Sequence, residues 1–314
     1  MDRLSSVLNR FRPKIKHVQR MQFTECETSV SFDPKHAYLI YVCSDDVVIE
    51  GAEELTSPVQ NDSLVQLLDA LSLNTFPKGS LIWLASGDTL RLIGDHVSII
   101  VCEYDFGNVA LNPFLDTGSR ILVLRGEDSI AKTLTAIFTL LMVEIDQHKC
   151  GYQVVSERLS EAILVQLLRL LMQQKRLNFG VLAALSDDKL ARALVAIHES
   201  PDQPWTVGRL AMTAGMSRSA FNTLFRQKVG SPPMEYLTLW RMRLAYQELQ
   251  NGTKTAELSS QLGYQSETAF RRAFKKVVGK SPGEIQKGAL NVWQTAIPEN
   301  HITTKHFEIH APTE

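Results

Sequence analysis

The feature that most limits how this chain can fold is a pattern written twice near its end. Leu210-Ala211-Met212-Thr213-Ala214-Gly215-Met216-Ser217 is echoed by Leu258-Ser259-Ser260-Gln261-Leu262-Gly263-Tyr264-Gln265-Ser266. Each serine is followed by two phenylalanines four residues apart, Phe221/Phe225 and Phe270/Phe274. Each run closes on Val-Gly and then proline, at Val229-Gly230 with Pro232-Pro233 and at Val278-Gly279 with Pro282. The copies are offset by 48 residues before the turn and 49 after it, so the second turn has one extra residue. Glycine suits the left-handed residue that ends a helix, because it has no Cβ to clash. Serine suits the cap of the helix that follows. Residues four apart share one helix face, so the phenylalanines point inward together. The repeat therefore specifies helix, tight turn, helix, two times over.

With the phenylalanines inside, the outward faces follow. They are Arg218, Ser219, Asn222, Thr223 and Arg226 in the first copy, and Glu267, Thr268, Arg271, Arg272 and Lys275 in the second. Short polar groups such as Asn222 and Thr223 can read base edges, and cations can hold phosphates. Arg226, Arg241, Arg272, Lys275 and Lys276 are the candidate phosphate clamps. Glu267 leaves two readings open: it could accept from a cytosine, or cap the helix and leave that unit largely non-specific. Between the copies, Pro233–Asn251 reads as one helix, with proline at its start and Gly252 just past its end. At 1.5 Å per residue it spans roughly 28 Å, near the roughly 34 Å between successive turns of a duplex. Trp240, Leu244 and Leu249 beside Arg241 and Arg243 predict a rod buried on one side and basic on the other.

Charge supports this division. The whole chain of 314 residues sums to −1, but residues 187–287 hold 15 Lys and Arg against 9 Asp and Glu, a net of +6, leaving −7 elsewhere. A basic segment on an acidic body suits a polyanion-binding module on a carrier.

The rest of the chain reads differently, so the fold class is α+β. From about residue 22 to 125 short β-branched and aromatic runs alternate with turn residues: Ala37–Val42, Val47–Ile49, Ser80–Leu84, Thr89–Ile93, Val97–Val101 and Ile121–Leu124. Closely spaced short strands predict a sandwich or barrel. Asp62–Leu73 reads as a helix. Two helical runs follow, Asp128–His148 and Ser156–Lys175, with Ser156 as the expected cap of the second. Its apolar stripe either packs on its own domain or pairs two chains. In the second case Leu159, Ile163, Leu167 and Leu170 form a dimer interface. The expected organisation is a strand-rich domain at 1–125, a helical dimerisation segment at 126–180, a DNA-binding domain at 187–287 and a flexible tail at 288–314.

Several motifs across 187–287 match one family. They include Pro204-Trp205-Thr206-Val207, Leu210-Ala211 with Ala214-Gly215-Met216-Ser217, and Gly230-Ser231-Pro232-Pro233-Met234. They continue with Trp240-Arg241-Met242-Arg243-Leu244-Ala245, Gly263-Tyr264 with Ser266-Glu267, and Arg272-Ala273-Phe274-Lys275. This region resembles the DNA-binding domain of the AraC family of bacterial transcription regulators, over about 100 residues. Leu4–Leu8, Cys102–Phe106, Asn112–Leu115 and Arg158–Gln166 are similar to the subgroup of that family with a cupin-like β-barrel sensor in front. The resemblance implies a homodimer that binds double-stranded DNA, takes a small-molecule or protein effector at the sensor, and activates by recruiting RNA polymerase.

Other classes fit poorly. No apolar run reaches the roughly 18 residues needed to span a bilayer. The start, Met1-Asp2-Arg3-Leu4-Ser5, does not look like a secretory signal, so a cytoplasmic place is expected. Cys26, Cys43, Cys102 and Cys150 are dispersed without a CxxC, which suits reduced thiols. His17, His36 and His96 are isolated, and no His-x-His exists for a cupin metal site. His301, His306 and His310 read as scattered tail residues. No phosphate loop or nucleophile elbow is present. The expectation is a protein without catalytic residues, metal or cofactor. The alternatives are a sensor module without promoter output, and a cupin enzyme.

Overall fold

The computed structural model describes residues 2–11, 13–44, 47–50, 75–87, 89–107, 121–177 and 179–287. The expected helix at Asp62–Leu73 and the tail at 288–314 lie outside the described residues. The chain divides into two compact units. One takes its described residues from 13 to 176, and the other from 2–11 and from 177 onward.

The first unit holds two antiparallel sheets. Strands β1 (Lys14–Phe23), β2 (Glu27–Ser31), β3 (Ala37–Val42), β4 (Val47–Glu50), β5 (Thr75–Phe76), β6 (Leu81–Leu84), β7 (Thr89–Ile93), β8 (Val97–Asp105) and β9 (Ile121–Leu124) form them. One sheet has the order β1-β8-β3-β6-β9, the other β2-β7-β4-β5. β2 and β7 alternate buried and exposed residues, the mark of a sheet with one wet face. Val30, Leu90 and Leu92 meet Ile40, Ile82, Leu84, Ile99 and Val101 in one shared core. β1 and β2 are missing from the sequence reading because their polar residues hide the alternation; β1 extends the sheet by pairing Val18 with Cys102 and Arg20 with Ile100.

β3 and β8 are buried on both faces. Helices α2 (Ser129–Gln147) and α3 (Tyr152–Gln173) account for the second face. Tyr41 stacks on Phe138 at 4.2 Å, and the Tyr104 hydroxyl donates to the Ser160 carbonyl at 3.0 Å. Asp128 caps α2, accepting from the Ile130 N–H. Ser156 does not cap α3. That helix starts four residues earlier, behind Gly151 at φ 85°, and Ser156 lies buried within it. The apolar stripe packs on its own unit, so Ile163 and Leu167 are core residues at 0% and 2% exposure. A second chain cannot reach them without opening that core, whereas Leu159 and Leu170 stay partly exposed.

The second unit is helical: α4 (Val181–Leu185), α5 (Asp188–Glu199), α6 (Val207–Ala214), α7 (Arg218–Val229), α8 (Pro233–Gln250), α9 (Thr255–Gln261) and α10 (Glu267–Val278). The short helix α1 (Ser5–Leu8) joins them. The sequence grouped residues 2–11 with the sensor; the structure packs them here. Their apolar residues Leu4, Val7 and Phe11 are buried, and Phe11 meets Trp240 edge-on at 4.9 Å. Arg3 donates to the Leu185 carbonyl at 3.1 Å and pairs with Asp188 at 2.5 Å. Four residues of helix cannot hold themselves together, so this segment is ordered by what it covers.

Beneath it lies His198, 1% exposed and stacked on Trp240 at 3.9 Å. Its Nε2 is 2.7 Å from the Tyr236 hydroxyl and its Nδ1 is 3.2 Å from Ser6 Oγ. Ser6 spends its proton on the Arg3 carbonyl. The consistent assignment is a neutral ring whose Nδ1–H donates to Ser6 and whose Nε2 accepts from Tyr236. Burial, with Arg243 nearby, holds the His198 pKa down at about 3.

Candidate nucleic-acid interface

The two repeats form as helix-turn-helix pairs. In the first, α6 ends at Gly215 with φ 66°, and Ser217 Oγ accepts from the Ala220 N–H at 3.3 Å to start α7. In the second, Gly263 has φ 74° after α9, and Ser266 Oγ accepts from the Ala269 N–H at 3.2 Å to start α10. Phe221, Phe225, Phe270 and Phe274 are all fully buried. They anchor α7 and α10 and set which faces remain outside.

On α7, Arg218, Ser219, Asn222, Thr223 and Arg226 are exposed. On α10, Thr268, Arg271, Arg272, Lys275 and Lys276 are exposed, and Glu267 is partly so. Each helix therefore presents a polar and cationic comb. Lys275 and Lys276 occupy the last turn of α10, where they also complement the helix dipole. Glu267 does not stand alone on this surface: Oε1 accepts from Arg271 Nε at 2.8 Å and from its Nη2.

The connecting helix α8 differs from the half-basic rod that its sequence predicts. Tyr236, Leu237, Trp240, Met242, Arg243, Leu244, Ala245 and Leu249 are all buried, on more than one face of the helix, so it is central to the unit. It contacts α7, α9 and α10. Arg241 is half-buried and committed internally. Its Nε donates to the Pro201 carbonyl at 2.7 Å and its Nη2 to the Gln203 carbonyl at 3.1 Å. The guanidinium also lies over the Tyr264 ring at 5.5 Å. Burial lowers the Arg241 pKa and raises that of Tyr264, with the neighbouring guanidinium opposing the Tyr264 shift. Arg241 thus ties the loop before α6 to the second turn, and is not a free clamp.

The second turn belongs to the same arrangement. Tyr264 fills the space between Arg241 and Phe270, whose ring is 5.5 Å away. A Cβ on Gly263 would stand 2.1 Å from the Asp202 carbonyl oxygen, so glycine is needed for close approach as well as for its φ. One further cation stands at the first turn. Arg192, on α5, is exposed, and its Nη1 lies 3.8 Å from where a Gly215 Cβ would stand. It reaches the first turn from outside either repeat, so no local pattern marks it.

In the sheet unit, His36 Nδ1 is 2.6 Å from Glu103 Oε1, which also accepts from the Tyr38 hydroxyl at 3.2 Å. Among the described residues no group of three or more His, Cys, Asp or Glu is placed to hold a metal. Cys26 and Cys150 are exposed and Cys102 is buried, all as free thiols. No described helix is long and apolar enough to cross a membrane.

Two family models match. A helix-turn-helix domain covers residues 210–288, and a cupin model covers residues 2–173, more than half the chain. An AraC-like transcription regulator of Streptomyces lividans is 36% identical over 196 residues, which are 62% of this chain and 64% of that one. The transcriptional regulator AlkR of Acinetobacter baylyi is 45% identical over 102 residues, 32% of this chain and 33% of that one. These matches span less than two thirds of either relative. Among solved structures, ToxT from Vibrio cholerae is 12% identical with a TM-score of 0.38, over 87% of this chain and 98% of that one.

Fold and motif together define a helix-turn-helix protein with a cupin domain in front. The chain belongs to the AraC family of transcriptional regulators, in the group with an N-terminal cupin domain.

Proposed function

We propose that this protein is a sequence-specific DNA-binding transcription regulator that acts by binding and not by catalysis. The observation that carries this is the pair of serine-capped helices, α7 and α10, each anchored by two buried phenylalanines and presenting a largely polar and cationic face outward. Asn222 and Thr223 read base edges near the start of α7. Arg192, Arg226, Arg272, Lys275 and Lys276 hold phosphates, which fixes register without carrying sequence.

The remaining roles follow from this reading. An effector engages the cupin domain and shifts the population of arrangements in which the DNA-binding units are presented, by binding one arrangement better than another. Two chains pair through the outer face of the α2–α3 hairpin. Leu140, Val143 and Val155 are 49%, 40% and 40% exposed there, with Leu159 and Leu170 partly exposed on the same helix pair. The bound protein activates through RNA polymerase, in the cytoplasm.

The test is selection of bound sequences from a random duplex pool with the full chain, followed by binding at several salt concentrations. A defined consensus and a steep salt dependence are expected. Each phosphate clamp replaced by alanine should flatten the salt slope by about one unit. Failure to enrich any sequence, with binding insensitive to salt, would overturn the proposal.

A further inference from the structure

The two reading helices share a design but carry different pairs at their first and fifth positions. The first and fifth residues of α7 are Arg218 and Asn222; those of α10 are Glu267 and Arg271. In α10 these two side chains are joined. One carboxylate oxygen, Glu267 Oε1, accepts from both Nε and Nη2 of Arg271. Side chains four apart on a helix are neighbours, and the acid nearer the N-terminus is the favourable order. Such an exposed pair adds little to stability. Its consequence is geometric. The pair takes the side edge of the guanidinium, Nε–H with one Nη2–H, and leaves the end edge, one hydrogen each from Nη1 and Nη2, outside that pair.

A phosphate accepts a cation from almost any direction. A guanine edge is more demanding, because O6 and N7 lie in one plane and are matched by two donors held in that plane. A tethered arginine on the exposed face of α10 suits the second task better than the first. The carboxylate beside it also disfavours close approach of phosphate to that edge. We propose that Arg271 reads a guanine under the second helix-turn-helix unit, and that Glu267 is the positioning residue that holds it for that contact. Glu267 then neither reads cytosine nor leaves α10 non-specific. The inference rests on the DNA-binding reading above and adds the base and the device that selects it.

The test uses the full chain, its selected duplex, and duplexes with single base-pair changes. Wild type should show one G·C pair whose replacement weakens binding about 10- to 100-fold. Glu267→Gln, which keeps length but removes charge, should shrink that penalty to a few fold at that pair alone. Arg271→Ala, which removes every donor, should erase it at the same pair. Non-specific duplex should bind both wild type and Glu267→Gln, since no attractive charge is lost. Neither side chain is buried, so the melting temperatures should match.

Three outcomes overturn the inference. Glu267→Gln could tighten every duplex alike and leave base preferences intact, showing only a repulsive charge. The pair weakened by Glu267→Gln could be kept by Arg271→Ala, showing that Glu267 itself reads cytosine. Neither variant could change any preference while Asn222→Ala does, in which case DNA reading stands and this part falls. If wild type selects no sequence at all, the parent reading fails and takes the inference with it.

Discussion

His198 makes the fold of the DNA-binding unit sensitive to acid in a calculable way. In the unfolded chain it titrates near the usual 6.5, while in the folded unit burial holds it at about 3. Below pH 6.5 the unfolded chain therefore binds a proton that the folded one refuses. The sign follows: the contribution is fully present above pH 6.5 and is lost as pH falls through the window from 6.5 to about 3. Each pH unit within that window removes about 1.4 kcal/mol, so moving from pH 7 to pH 5 costs about 2 kcal/mol. The matched variant is His198→Gln, which has no proton to gain. It loses the ring stack on Trp240 and is less stable at every pH, but its stability should lack this slope. Hydrogen exchange at the buried α5 amides, corrected for intrinsic rates, reports this unit alone. Protection in wild type should fall by about 2 kcal/mol more than in His198→Gln between pH 7 and pH 5. Equal losses in both proteins would refute the buried neutral histidine.

Phe11→Ala removes a buried ring from under Trp240 and should destabilise the helical unit by about 3 kcal/mol or more, measured by the same α5 exchange; unchanged protection would show that residues 2–11 are not part of its core. Gly263→Ala meets both a left-handed φ and the Asp202 carbonyl, whereas Gly279, at φ 80°, has nothing within 4 Å. Gly279→Ala should therefore cost only about 1–2 kcal/mol, and Gly263→Ala clearly more, by thermal melts. Asn222→Ala should relax preference at one or two base pairs by about 1–3 kcal/mol in competition binding, with the salt slope unaltered. Leu140→Glu with Val143→Glu should give folded monomers by sedimentation, and a dimer that persists would place the pairing surface elsewhere.

Much of the helical unit was legible because its signals are local. Gly215 and Gly263 end helices, Ser217 and Ser266 begin them, and the spacing of Phe221/Phe225 and Phe270/Phe274 fixes the inner face without reference to distant residues. The polar combs on α7 and α10 follow from that inner face by subtraction. In the sheet unit, strands with alternating or wholly apolar runs could be read, but β1 could not. Lys14, Lys16, His17 and Arg20 conceal its partnership with β8, which is a fact about the neighbour.

Where sequence and structure part, one physical cause recurs: a side chain's job depends on what stands across from it. Arg241 has the sequence context of a clamp, yet it meets the Pro201 and Gln203 carbonyls and the Tyr264 ring. Ile163 and Leu167 form a stripe that could face either way, and the sheet beneath α3 decides it. Leu4, Val7 and Phe11 are too few to imply a partner, and they settle some 180 residues away in sequence, as the Arg3–Leu185 contact shows. The amino-acid order by itself determined the repeated helix pairs, their caps and their charged faces, because those depend on contacts within a few residues. Only the tertiary structure decided which cations are spent inside, which apolar face stays outside, and that the beginning of the chain completes the unit built from its end, because these depend on long-range packing.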